Sequence, residues 1–530
     1  MARVEISKKL VLINSASSVV AMVLNISVLI WLQQYLIKRI SPEEFSLLPV
    51  IMSVMLFEPL ITTVLTGGLG RFITVAYARG DDGEVTRIVS TMFPILCLAG
   101  LALLVGGLVL AWHIGSILNI VPERLSDARI MLALLVCIAA IRLPAAPFGS
   151  GFMVRQKLML QDMIDMGCQL VRLAVLFSLL FGVSTRVLWV VVASVSSELL
   201  KLMITVPISM RLVPAQRVRA SAIHWPLVPE LTSYGGWSFV NEIANTIKNA
   251  MDPLLLNRFA SPVDVACFHV GGLGPRQLGM LAAPLARPLI PVFAGLYATG
   301  DTVRMRNTYL RMCRYRTWPI LLVAAPAIVF SSDFMRLYIG EKYAMAGPVM
   351  ALLIAARLVV DLNSPTRIIA GACGALRGFA LRQVATHSLN LALTLWLVVC
   401  LGKGALGSAL ATLAATAVLE PLLMWPFGWR LAETTLAVWL KEAAIPSLLP
   451  AVPAIGLCLF LKAIFGVPSW AHLIGYSGLA AAVYVVFLAR YCLRDQDRLD
   501  VRSLIAKAPA GRIRRVLRGL VFPLCGMRGA

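Results

Sequence analysis

Charge is scarce in this chain. Of its 530 residues only 14% are Asp, Glu, Lys or Arg, whereas a soluble protein carries roughly 25%. Acids are scarcer than bases, 26 against 48. Such a composition excludes a water-soluble globule, which would need nearly every helix buried on all sides. The five histidines are well separated and the ten cysteines show no CxxC spacing, so neither a metal cluster nor a disulfide framework is expected. No cofactor is called for. Long polar loops are missing too. The longest loop expected on the outer side, around His113 to Arg129, offers only Glu123 and Asp127 as acids. That is too little for the catalytic domain of a membrane-embedded glycosyltransferase or polymerase.

What the chain has instead is apolar length. Hydrophobic residues make up 59% of it and the mean hydropathy is +0.84. Runs of about 20 apolar residues suffice to cross the hydrocarbon core of a bilayer. Fourteen such spans are expected, near 10–36, 45–69, 89–112, 130–150, 162–183, 187–210, 232–256, 264–293, 317–338, 346–370, 383–401, 404–428, 437–461 and 470–492. The predicted fold is an all-α polytopic membrane protein. The apolar run after Lys9 is too long for a signal peptide and reads as a retained first span.

The chain also repeats itself at a spacing of about 220 residues. Ser41-Pro42 returns as Ser261-Pro262, Val50 as Val270, and Tyr77-Ala78 with Gly80-Asp81 as Tyr297-Ala298 with Gly300-Asp301. Slightly out of step, Pro147 returns as Pro365, Pro207 as Pro426 and Arg211 as Arg430. Two similar sets of hydrophobic helices are a common plan for transporters, because one set can move against the other. The expected organisation is an N-terminal six-helix lobe over 1–212, a basic linker over 213–229 and a second six-helix lobe over 230–431. An appended helix pair over 432–492 and a basic tail over 493–530 follow.

Basic residues gather on one side of these spans. With the N-terminus inside, 30 Lys and Arg fall in inner segments, 10 in outer loops and 8 within spans. This bias predicts cytoplasmic N- and C-termini and accounts for the net charge of +22 without nucleic acid. The tail, with its Ile513-Arg514-Arg515-Val516-Leu517-Arg518 alternation, suits anionic membrane lipids, and an unstructured cytoplasmic tail suits the same sequence.

Ionisable groups inside a membrane are costly and usually face a wet cavity or one another. In span seven, Asn241, Asn245, Lys248 and Asp252 are spaced 4, 3 and 4 apart, which places them on a stripe roughly 60° wide. Span eight carries Arg276 and Arg287 among four prolines, about three turns apart on one face. Span ten carries Arg357 and Asp361 at i, i+4, the spacing of an ion pair on one helix. These two and Asp252 are candidates for coupling or gating; a purely structural pair is the alternative. The first half is quieter: Asn25 falls opposite Asn245 in the repeat register. Glu58, Arg142, Asp165, Glu198 and Lys201 read as structural, with Glu198 and Lys201 satisfying each other across a turn.

Two six-helix repeats plus an added pair, the Ser41-Pro42 turn, the Tyr77 to Asp81 segment and the Gly151 to Lys157 segment resemble the multidrug/oligosaccharidyl-lipid/polysaccharide exporter superfamily. Within it the chain is similar to the polysaccharide-transporter branch, the Wzx-type flippases. The resemblance covers about residues 5 to 492. It implies a bacterial inner-membrane protein, not an enzyme, that moves an undecaprenyl-diphosphate-linked oligosaccharide across the bilayer by alternating access for cell-surface polysaccharide synthesis. Lys248, Arg276 and Arg287 would meet the diphosphate in a cavity between the lobes, and Asn241, Asn245 and Asn25 the sugars. A multidrug exporter and a lipid II flippase are the alternatives. A proton or sodium ion as coupling partner is left open. Reporter fusions after Arg39, Arg258 and Lys342 are expected to read periplasmic, and fusions after Arg219, Arg316 and Arg518 cytoplasmic; a periplasmic C-terminus would contradict the even span count.

Overall fold

A computed structural model describes residues 34–66, 69–155, 157–233, 235–286, 293, 296–297 and 299–500. Among these residues nearly everything is helical and there is no strand. Short single turns apart, the helices are α1 Pro42–Met55, α2 Glu58–Thr66, α3 Leu69–Ala78, α4 Asp82–Ile117, α5 Leu125–Ala145, α6 Leu158–Gly182, α7 Leu188–Leu212, α8 Gly235–Phe259 and α9 Pro262–Gly271. They continue as α10 Leu273–Ala286, α11 Thr302–Val329, α12 Ser331–Ile339, α13 Ala346–Asp361, α14 Leu376–Leu395, α15 Gly404–Leu419, α16 Trp425–Leu431, α17 Ala451–Phe465 and α18 Trp470–Phe487.

Among the described residues nine helical segments are long and apolar enough to cross a bilayer, and α11 with α12, bent by 73° at Phe330, makes a tenth. They coincide with ten of the fourteen expected spans. The others differ for local reasons. The expected span 45–69 is broken between α1 and α2 at Leu56-Phe57, and 264–293 is broken between α9 and α10 at Gly272. The span 232–256 falls mainly on α8, whose Glu242, Lys248 and Asp252 make it more polar than the ten. The span 10–36 lies almost wholly outside the described residues.

The sequence repeat has a structural counterpart. Ser41 caps α1 by accepting from the Glu44 N–H at 3.3 Å, and Ser261 caps α9 by accepting from the Asp264 N–H at 3.1 Å, each with proline as the first helical residue. The second motif recurs more fully. Gly80 (φ 76°) and Gly300 (φ 67°) each sit in the left-handed region that glycine tolerates best. The Gly80 N–H donates to Tyr77 and the Asp81 N–H to Ala76; likewise Gly300 donates to Tyr297 and Asp301 to Leu296. This is the hydrogen-bond pattern of a Schellman helix end. Asp81 and Asp301 then cap the next helices, accepting from Glu84 N–H at 2.8 Å and Arg304 N–H at 3.0 Å. Each repeat thus turns from one helix into the next with the same five-residue device.

The chain divides into two compact units, residues 1–266 and 267–530. In the first, glycines let α4 and α5 approach closely: a Cβ on Gly107 would lie 2.4 Å from Val136, and one on Gly100 2.7 Å from the Ala140 carbonyl. The basic stretch after α7 is stitched to the same unit. Thr86 donates to the Ala215 carbonyl at 2.8 Å, and Gln216, fully buried, donates to Ser150 at 2.7 Å and accepts from Ser209 at 2.9 Å.

In the second unit the appended helices α17 and α18 pack on α11 through Ala451, Ala454, Cys458, Ala480 and Tyr484. The chain beyond α18 is fastened to the same helix. Arg314 donates to Asp497 with two nitrogens, at 3.1 and 2.7 Å, and their side chains are 6% and 1% exposed. Arg311 and Tyr315 hold Asp500 at 2.9 and 2.7 Å. A π-helical turn over Leu440–Ala444 supplies further acceptors: the Glu442 carbonyl takes a bond from Arg314 and the Lys441 carbonyl one from Arg494. Removing one partner of a buried ion pair costs about 3–5 kcal/mol because the other charge is stranded. Truncation before Arg494 is therefore expected to lower the thermal unfolding midpoint sharply, whereas truncation after Asp500 leaves it within a few degrees. Equal midpoints for the two truncations would show that the clasp contributes nothing.

Candidate functional site: an arginine set around Asp361

Helix α13 runs through apolar sequence and ends on Asp361, whose side chain is fully buried. A carboxylate in that position requires a partner inside the protein, and it has two. Arg357, one turn earlier, donates from Nε to Oδ2 at 2.6 Å and from Nη2 to Oδ1 at 3.3 Å. Arg316, from the middle of α11, donates from Nη2 to Oδ1 at 3.2 Å. The Arg316 Nε is buried and has no acceptor. Two guanidinium groups share one carboxylate, so a positive charge is left over.

Gly279 on α10 and Gly272 just before it seat the arginines. A Cβ on Gly279 would lie 3.1 Å from Nη1 of Arg357, so the absence of a side chain gives that guanidinium its place against α10. Two turns earlier, a Cβ on Gly272 would lie 3.3 Å from Nη2 of Arg276. Arg276 is exposed and donates only to carbonyls of the preceding turns, Gly272 at 2.9 Å and His269 at 2.5 Å. At 1.5 Å rise per residue the seat at Gly279 lies about 10 Å along the axis from the one at the head of α10. Helices α10, α11 and α13 pack on one another. Beside the Arg316–Asp361–Arg357 set α10 carries Arg276, and guanidinium groups in surplus over carboxylate suit multidentate binding of an anion such as phosphate.

The residues singled out from the sequence fare unequally. Arg357 and Asp361 pair as their spacing requires, and Arg276 stands on a helix packed against theirs. Asn241, Asn245 and Lys248 lie on α8, but their side chains are outside the described residues; Asp252 on the same helix is buried. Asn25 and Arg287 lie outside the described residues. Arg316 was missed: it closes a run of five arginines from Arg304 that reads as an inner loop, yet α11 is helical throughout and carries it to Asp361. The expected Glu198–Lys201 contact is replaced by Lys201–Asp165 at 2.9 Å, because α6 packs beside α7 and offers the nearer carboxylate. Glu58 and Arg142 pair at 2.6 Å, joining α2 to α5 beside an apolar cavity of about 480 Å³.

Duplicated capping motifs, a bent pair α11–α12 and many membrane-length helices mark a polytopic membrane protein with an internal repeat. The sequence profile of the polysaccharide biosynthesis protein family matches residues 36–348. The uncharacterized membrane protein EpsK of Bacillus subtilis (strain 168) is 23% identical over 498 residues, covering 92% of this chain and 97% of that one. Among solved structures, the lipid II flippase MurJ in an inward closed conformation matches with a TM-score of 0.65 at 13% identity, over 93% of this chain and 100% of that one. An inward-facing multidrug resistance MATE family transporter matches with a TM-score of 0.60 at 12% identity, over 76% and 94%. At such identities the likeness is one of fold. The chain belongs to the polysaccharide biosynthesis protein family. It is a multi-pass membrane protein whose fold is that of the MurJ and MATE structures.

The double hold on Asp361 can be tested directly. Asp361→Asn strands two part-buried guanidinium groups and is expected to destabilise the protein by about 3–5 kcal/mol, whereas replacing all three partners together (Asp361→Leu with Arg357→Met and Arg316→Met) recovers most of the loss. Thermal unfolding of the purified variants gives the comparison; equal loss in both would mean that pairing is not what Asp361 provides.

Proposed function

We propose that this protein carries a polyprenyl-diphosphate-linked oligosaccharide, of the undecaprenyl type, across the bacterial inner membrane, with both termini cytoplasmic. The observation that supports it is the excess positive charge on neighbouring helices: Arg316 and Arg357 share a single carboxylate, Asp361, and Arg276 on α10 is held by backbone carbonyls. A diphosphate crossing a low-dielectric layer needs fixed donors along its path. In this reading the phosphate oxygens displace the carbonyls that Arg276 now contacts and occupy the free Nε of Arg316. Arg287 and Lys248 extend the cationic path, and Asn241, Asn245 and Asn25 meet the sugars. Arg357–Asp361, with Asp252, serves as the coupling or gating element, opening as a phosphate takes over a guanidinium. The same charge disfavours a lipophilic cation, the cargo of a multidrug exporter, while a lipid II cargo shares the diphosphate and differs only in its glycan.

Charge-assisted hydrogen bonds are worth about 1.5–3 kcal/mol each. Arg276→Ala at matched membrane levels is therefore expected to weaken substrate affinity about ten- to a hundred-fold in glycan-export complementation. Arg276→Lys retains part of it, because a point charge replaces a bidentate fork. Full export from Arg276→Ala, Arg316→Ala and the double variant would overturn the cationic route.

A further inference from the structure

Glu433 is the only non-glycine with positive φ among the described residues, at 49°. It follows α16, where its N–H donates to Arg430 and the Thr434 N–H to Trp429 at 2.9 Å. This is the same Schellman end that Gly80 and Gly300 form elsewhere in the chain. At those two places glycine fills the left-handed position; here a carboxylate side chain is kept despite the backbone strain. A strained residue invites the question of what its side chain does.

Glu433 lines a cavity of about 340 Å³ together with Arg430, Tyr297, Thr302, Met305 and Leu431. Arg430 and Glu433 are three residues apart on one turn and form no salt bridge, with each other or with any other described residue. The hydroxyl of Thr434 and the indole N–H groups of Trp425 and Trp429 are buried without acceptors. The cavity lies at the end of the apolar segment Gly404–Leu431, beside a cluster in which Trp425, Trp429 and Trp439 have ring centroids 4.8–6.4 Å apart. Tryptophans at the end of a span mark headgroup depth.

An unpaired cation and an unpaired anion on one small cavity at that depth are complementary to a zwitterion. We propose that this cavity is a binding site for a zwitterionic phospholipid headgroup, its phosphate on Arg430 and its ammonium on Glu433, with the acyl chains remaining in the bilayer. This is a resident lipid rather than transported cargo, and it does not depend on the substrate reading above.

The test uses the purified full chain, stripped of lipid in detergent and titrated with dihexanoyl phosphatidylethanolamine or dihexanoyl phosphatidylglycerol, with the unfolding midpoint and tryptophan emission as readouts. The ethanolamine lipid is expected to act at about tenfold lower concentration, the worth of one added charge-assisted hydrogen bond. Glu433→Gly relieves the backbone strain, so its lipid-free midpoint is expected to rise while the preference for the ethanolamine lipid disappears. Arg430→Gln is expected to weaken both lipids. Equal action of the two lipids on the native chain, or a preference that survives in Glu433→Gly, would overturn the proposal.

Discussion

A charge placed in the hydrocarbon layer must find its partner within the chain, and the architecture of this protein follows from that constraint. Three deeply buried carboxylates are met by arginine: Glu58 by Arg142, Asp497 by Arg314, and Asp361 by Arg316 and Arg357. These pairs tie helices that are distant in sequence. Glu58–Arg142 joins α2 to α5, Asp361 joins α13 to α11, and Asp497 binds the chain beyond α18 back to α11. Helix α11 thus receives both the aspartate of the candidate site and the clasp of the C-terminal segment, two residues apart in its own sequence.

Because arginines outnumber acids, pairing leaves positive charge behind. Arg276 and half of the Arg316–Arg357 set belong to that remainder. In a soluble protein such a remainder would be hydrated and of little consequence; on membrane helices it is stabilised only by backbone carbonyls or by a ligand. Irregular backbone supplies those carbonyls. The π-turn at Leu440–Ala444 offers two to arginines, and the one at Glu420–Met424 ends on the Met424 carbonyl that accepts from Asn363. Glycines do the complementary work, clearing space for Arg357 at Gly279 and for close helix approach at Gly107.

Periodicity in the sequence captured what depends on neighbours along the chain. Most membrane helices, the i, i+4 pair Arg357–Asp361 and the repeated Ser41/Ser261 and Gly80/Gly300 turns were all legible, because each is determined within a few residues. Contacts set by tertiary packing were not. Arg316 reads as one more basic residue in an inner loop until α11 is seen to run unbroken past it. Lys201 has Glu198 nearer in sequence but Asp165 nearer in space. Glu433 carries no sequence signal of its left-handed backbone, since glycine is the residue that such a position advertises. Broken helices such as α1–α2 also blur the span count, because hydropathy averages across the break.

The central claim is that surplus arginine charge on these helices recognises a diphosphate. The most direct measurement is equilibrium binding of a polyprenyl diphosphate and of the matching polyprenyl alcohol to the purified protein. The account predicts that the diphosphate binds at least about tenfold more tightly and that this difference shrinks when Arg276 and Arg316 are both replaced by alanine. Equal affinity for diphosphate and alcohol in the native protein would contradict it.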